Sequence, residues 1–138
     1  MNRLFVDTSA WAALADSTDA NHELAVLFRD EAAGKYRLIT TNYILDELYT
    51  LLLMNVGYLQ TVAFKRRTDF LTQLGTLQVV WILEDIADEA WRVFEQFNVD
   101  KQWSFTDCVS YVVMQQCQIV EAFTFDRHFA QMGFITRP

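Results

Sequence analysis

At 138 residues, the chain carries 11 lysines and arginines against 18 aspartates and glutamates, and the resulting formal charge of −7 argues against a basic sheath for nucleic acid. With 52% apolar and 14% aromatic residues it is too hydrophobic for disorder, and its length suits one domain over 1–138. Four glycines and one proline, Pro138, give little support to flexible linkers, collagen-like repeats or a turn-dense β-sandwich, so helices should dominate.

Leu4-Phe5-Val6 is an apolar run closed by Asp7-Thr8-Ser9, three helix-capping residue types, ahead of Ala10-Trp11-Ala12-Ala13-Leu14. This predicts a buried strand, a sharp turn and a helix. A second helix fits 21–33 and stops at Gly34. Residues 37–40 read as a strand, and Thr41 or Asn42 caps a long helix to Asn55 and Gly57. A further helix over about 59–74 ends at Gly75, and 77–83 is the best strand candidate by β-branched and aromatic content. An acidic-started helix over 85–97 comes next, then a helix opened by Ser104 and running to about Cys117. A strand near 120–124, a short helix from Asp126 and a terminal strand at 134–135 complete the chain.

Strands alternating with helices predict right-handed crossovers and a mainly parallel sheet between two helical layers, a three-layer α/β/α fold. Ligands bind beyond the carboxyl ends of such strands, which directs attention to the residues just after Val6, Ile39, Leu83 and Thr124. Apolar stretches such as 49–54 fall short of the roughly 20 residues that span a bilayer, and Asp7 interrupts the first run before it reaches secretory length. No membrane association and a cytoplasmic location are expected. Cys108 and Cys117 read as lying on opposite faces of one helix, roughly 13 Å apart along its axis, too far for a disulfide.

Glycines only at 34, 57, 75 and 133 leave neither a phosphate loop nor a dinucleotide fingerprint nor a serine-hydrolase elbow. His22 and His128 are far apart in sequence and belong to no Cys/His cluster, which argues against zinc. Carboxylates must therefore carry any chemistry. Asp7 and Asp126 stand at strand-to-helix junctions and Asp107 stands three residues after Ser104; each is equally readable as a capping residue. On the helix after Thr41, Asp46 points away from the apolar arc of Ile44, Leu45, Leu48, Leu51 and Leu52, whereas Glu47 falls at its margin and is the better site candidate. Brought to one edge of the sheet, Asp7, Glu47, Asp107 and Asp126 would repel one another unless a cation compensated them. Oxygen ligands select Mg²⁺ or Mn²⁺, and that apparatus suits metal-assisted phosphodiester hydrolysis.

The Asp7-Thr8-Ser9 start, Asp46-Glu47-Leu48, Ser104-Phe105-Thr106-Asp107 and Thr124-Phe125-Asp126-Arg127-His128-Phe129 together resemble, in order and spacing over essentially the whole chain, the acidic motifs of PIN-domain nucleases, and among them the VapC-like toxins of toxin–antitoxin modules. The resemblance implies Asp7, Glu47, Asp107 and Asp126 as metal-site carboxylates supported by the hydroxyls of Thr8, Ser9 and Thr124. It also implies a Mg²⁺-dependent endoribonuclease, with Mn²⁺ as an alternative, that forms a homodimer and is inhibited by a cognate antitoxin protein. Cys108 stands where many relatives carry alanine.

Lys65-Arg66-Arg67 is the only dense basic cluster; with Lys35, Arg37 and Arg127 it is a candidate guide for RNA, although adjacent basic residues also make an ordinary solvated face. Trp11, Trp81 and Trp91 are expected in the core, while Trp103, in the polar loop before Ser104, is the tryptophan placed to stack on a base. Haloacid-dehalogenase chemistry would need an aspartate at position 9, a von Willebrand-type adhesion site would need a serine at position 11, and a receiver domain would need a paired acidic start. The remaining rival is a catalytically silent PIN-like protein that binds a partner or RNA.

Overall fold

The computed structural model describes residues 1–138. Its strands are β1 (Asn2–Val6), β2 (Tyr36–Thr41), β3 (Leu77–Val80), β4 (Glu121–Phe123) and β5 (Ile135–Arg137). The helices are α1 (Thr8–Ala15), α2 (His22–Ala32), α3 (Asn42–Asn55), α4 (Tyr58–Gln73), α5 (Glu84–Phe97), α6 (Phe105–Gln116) and α7 (His128–Gln131). The five strands form one fully parallel sheet in the order β3-β2-β1-β4-β5, with Leu4 opposite Leu38 and Val6 opposite Phe123. This is the expected α/β/α architecture.

β1 lies at the centre, so both its faces are covered; its run of Leu4, Phe5 and Val6, at most 1% exposed, is continuous rather than alternating for that reason. The strand order runs outward from β1 through β2 to β3 and then reverses to β4. Right-handed crossovers therefore put α1–α4 on one face and α5–α7 on the other, which matches the packing of α1 on α2 and α3 and of α6 on α5 and α7. The buried hydroxyl of Thr40 donates to the Val6 carbonyl at 3.0 Å and receives the Trp11 indole N–H at 3.4 Å, tying β2, β1 and α1 together.

Helix ends reflect the local chemistry. Thr41 Oγ1 accepts the Ile44 N–H at 3.1 Å and caps α3. After α4 the chain turns at Gly75, whose φ of +78° is open to glycine at no steric cost, and Thr76 N returns to the Leu71 carbonyl.

Three expectations are corrected. β3 ends at Val80 rather than Leu83, because the Ile82 N–H turns to Asn42 Oδ1 at 2.7 Å instead of continuing the ladder. The terminal strand is Ile135–Arg137 rather than 134–135. Trp81 and Trp91 are 69% and 50% exposed, not core: β3 is an edge strand, Trp81 lies past its end, and Trp91 stacks on Phe94 of its own helix at 4.9 Å. Both cysteines are free thiols, and burial pushes Cys108 up to about 11, which leaves it inert as a nucleophile.

Candidate functional site

The strand order changes direction between β1 and β4, and open parallel sheets bind ligands at the carboxyl edge of such a switch point. Asp7 comes directly after β1, and Asp126 lies three residues beyond β4. The Asp7 N–H donates to the Phe123 carbonyl at 3.1 Å, which holds the two strand ends together, and α6 supplies Asp107 from its first turn.

Ser9 and Thr124 knit these segments. Both hydroxyls donate to Asp7 Oδ2, at 2.8 and 2.9 Å. Each also accepts a backbone N–H from the segment after β4: Ser9 Oγ from Phe125 at 2.9 Å and Thr124 Oγ1 from Asp126 at 3.0 Å. A hydroxyl has one proton to give, so the 3.2 Å approach between these two is a contact made while both protons go to Asp7.

Asp107 and Asp126 meet at His128. Its Nδ1 lies 2.8 Å from Asp107 Oδ2 and 3.3 Å from Asp126 Oδ1; facing two carboxylates, this nitrogen carries the proton and donates. Asp107, Asp126 and His128 each place one potential ligand atom within a group 4.8 Å across; Asp7 is not a member of that group and is linked to it through Ser9, Thr124 and the charge of Asp107.

Each aspartate divides its oxygens between two tasks. Asp7 Oδ2 receives the Ser9 backbone as well as the two hydroxyls; Asp107 Oδ2 accepts the Ser104 N–H at 3.2 Å in a reciprocal capping box; Asp126 Oδ1 accepts the His128 N–H at 2.9 Å. No hydrogen bond from the chain reaches Asp107 Oδ1 or Asp126 Oδ2, and the Ser9 and Thr124 hydroxyls both use Oδ2 of Asp7. Capping and ligation, which the sequence leaves as alternatives, therefore use different oxygens and coexist.

Burial pushes the Asp7 carboxyl up from 3.8 to about 6, against the hydrogen bonds from Ser9 and Thr124 that lower it, and the charge of Asp107 adds to the rise. A buried carboxylate beside a second one is the electrostatic situation that a cation relieves. Hard carboxylate oxygens without protein partners, as on Asp107 and Asp126, would suit a divalent ion of the Mg²⁺ or Mn²⁺ type. His128, with Nδ1 committed to Asp107, acts as the partner that orients the carboxylates.

The other candidates are dispersed. Glu47 is exposed on α3 and stands outside the compact group; it shares a shallow depression with Thr106, the neighbour of Asp107, and with Tyr43, Asp46 and Thr50. Asp46 thus faces the same depression despite its angular offset. The Thr8 hydroxyl is buried with no hydrogen-bond partner and does not join the Ser9–Thr124 pair. Lys65, Arg66 and Arg67 are exposed on α4, with Lys65 paired to Asp69 at 2.8 Å. Lys35 and Arg37 sit at the amino end of β2, the wrong edge of the sheet for this site. Trp103 is only 3% exposed, packed against Phe97 and Tyr111, so it has no free face for a base. His128, set aside in the sequence, is the residue the fold adds; its one local signal is the spacing two positions after Asp126.

The model of the PIN domain family matches residues 4–135. The chain is 33% identical over 133 residues to the 23S rRNA-specific endonuclease VapC20 of Mycobacterium tuberculosis, covering 96% of this chain and 95% of that protein. It is 29% identical over 127 residues to the VapC ribonuclease of Archaeoglobus fulgidus, covering 91% of this chain and 78% of that protein. The crystal structure of M. tuberculosis VapC20, a sarcin-ricin loop cleaving toxin, superposes with a TM-score of 0.85 at 31% identity over 98% of this chain and 99% of that one. FitAcB from Neisseria gonorrhoeae superposes with a TM-score of 0.70 at 13% identity over 98% and 96%, a likeness of fold alone. A match that begins in β1, ends in β5 and takes in every element carrying Asp7, Asp107 and Asp126 shows that the chain belongs to the PIN domain family and is VapC-like.

Proposed function

We propose that this chain is a divalent-metal-dependent endoribonuclease that hydrolyses RNA phosphodiester bonds, the toxin of a toxin–antitoxin pair, with residues 1–138 forming one PIN-like domain. The observation that carries this reading is the Asp107–Asp126–His128 group at the switch point, with the buried Asp7 carboxylate close enough to feel the charge of Asp107. Asp7 and Asp107 would hold the metal, Mg²⁺ or alternatively Mn²⁺, with Asp126 as a direct or water-bridged ligand and Glu47 binding it or orienting water from the α3 side. Bound there, the metal supplies charge neutralisation at the scissile phosphate and acidifies a water for in-line attack.

The chain's own residues do the positioning. Ser9 and Thr124 hold the Asp7 carboxylate against the end of β4, and His128 holds the Asp107 and Asp126 carboxylates at a fixed mutual distance. Relatives named as an endonuclease and a ribonuclease support RNA as the substrate class, and the sarcin-ricin loop on which the M. tuberculosis protein acts is the first substrate to assay. An antitoxin protein and a second copy of the chain are the proposed partners. Exposed Leu53, Met54, Tyr58 and Leu59 around the α3–α4 turn, and Trp81 and Leu83 ahead of α5, offer apolar surface for them. No helix is long and apolar enough to cross a membrane, and the proposed location is the cytoplasm, where RNA and an antitoxin would be met.

Purified Asp7→Asn and Asp107→Asn chains keep a capping oxygen and should fold. Each should lose Mg²⁺-dependent RNA cleavage by more than roughly a hundredfold, beyond what loss of an outer partner costs. Undiminished cleavage by either variant would remove the proposed site.

A further inference from the structure

His128, which meets the carboxylates through Nδ1, also lines a polar depression of about 480 Å³ at the α5–α6 loop and α7, together with Asn98, Asp100, Lys101, Gln102 and Arg127 among others. Its floor is preorganised. Asn98 both donates to and accepts from the Trp103 backbone at 2.8 Å, and the buried Trp103 indole donates to Gln131 Oε1 at 3.0 Å, so the loop is pinned at both ends and against α7.

The charged groups above that floor are nearly uncommitted. Arg127 is exposed and forms no ion pair, and Gln102 makes no side-chain hydrogen bond. Lys101 meets only Asp100 at 3.1 Å, and Asp100 is 74% exposed, so this pair is a weak surface contact that a phosphate can displace. In a chain of net charge −7, two cations on a rigid wall that also carries His128 are the local feature suited to a polyanion. The proposed metal accounts for one phosphate, and the strand must continue past it. Lys65, the lysine of the dense basic cluster, instead lines a different depression with Tyr43, Asp46, Tyr49 and Trp81, paired to Asp69.

We propose that this depression is a nucleotide subsite in which Arg127 and Lys101 hold the phosphate next to the scissile bond and Gln102 offers its amide to the neighbouring base. The assignment rests on the endoribonuclease reading and specifies where its single-stranded substrate runs. Unpaired RNA exposes base edges that a free amide can read, and phosphates that paired cations position.

The test measures fluorescence anisotropy of a fluorescein-labelled single-stranded RNA with the full chain in EDTA, across salt concentrations, alongside cleavage kinetics in Mg²⁺. Arg127→Ala and Lys101→Ala should each weaken RNA binding roughly tenfold and lower the salt slope by about one. KM should rise with much less change in kcat, and Arg127→Lys should restore most of the salt slope. Arg29→Ala, which removes an exposed cation of α2 paired with Asp30, should leave binding unchanged. A chain that cleaves RNA while both alanine variants keep wild-type affinity and slope overturns the subsite. Binding that depends on Arg127 and Lys101 in a chain that does not cleave upholds the subsite and sinks the nuclease reading instead. If the variants bind RNA normally but lose a glutamate-rich peptide, the depression belongs to an acidic protein partner and the proposal is overturned.

Discussion

Asp7 illustrates what a buried carboxylate costs its own fold. Its carboxyl binds a proton more tightly in the folded chain than in the unfolded one, because burial disfavours the ionised form and Asp107 adds repulsion. Linkage sets the sign: the stabilisation is fully present below 3.8 and is lost as the pH rises through about 6. A rise of this size corresponds to on the order of 3 kcal/mol. In EDTA, therefore, wild type and Asp7→Asn should have similar thermal midpoints near the low end of that window, and the asparagine variant should be the more stable above it. Asparagine keeps the cap, so the comparison isolates the charge. Midpoints that track each other across the whole range would show that Asp7 is not held ionised at a cost. The positions of Asp7, Asp107 and Asp126 at the carboxyl edge were readable in sequence because strand ends and caps are local features. His128 was not, because its significance comes from a hydrogen bond to a residue 21 positions away, and the Ser9–Thr124 pairing spans 115 positions.

Element boundaries were legible wherever a local hydrogen bond or backbone requirement sets them. Thr41 and Ser104 cap α3 and α6 as their residue types suggest, and Gly75 ends α4 through a positive φ. β3 was overextended because Trp81-Ile82-Leu83 has strand composition, and only the tertiary bond from Ile82 to Asn42 draws it off the sheet. The same principle governs the segment between α5 and α6. Its polar composition suggested a loop offering Trp103 to a base, but Asn98 closes it with two hydrogen bonds and turns the indole into its anchor. Asn98→Ala would leave the Trp103 N–H and carbonyl without their partners, at a cost of about 2 kcal/mol. Chemical denaturation should register that loss, and hydrogen exchange should show the Trp103 amide exposed while β1 stays protected. Unchanged protection at Trp103 would mean that indole packing alone holds the loop.

At the scale of the whole molecule, alternating strands and helices imply a parallel α/β/α fold, but the order β3-β2-β1-β4-β5 depends on pairings such as Val6 with Phe123 that no local pattern encodes. That order creates the switch point at which the candidate site lies. It also brings Asp107 and Asp126 together, with Asp7 in range of the Asp107 charge, in a chain already at −7, so the folded state carries an electrostatic load that a bound divalent ion would relieve and that the unfolded chain, with its carboxylates dispersed, lacks. An ion that binds only the folded form stabilises it by mass action, by about 2.7 kcal/mol at a hundredfold excess over its Kd. Mg²⁺ should accordingly raise the thermal midpoint of wild type by several degrees at constant ionic strength, since each kcal/mol moves a domain of this size by roughly 2–8 °C. Asp107→Asn should lose most of the rise, because it removes one ligand charge while keeping the cap of α6. Differential scanning fluorimetry with Mg²⁺ against NaCl of matched ionic strength separates the two effects. Equal midpoints in both salts for wild type would show that the carboxylates hold no Mg²⁺, whatever their geometry.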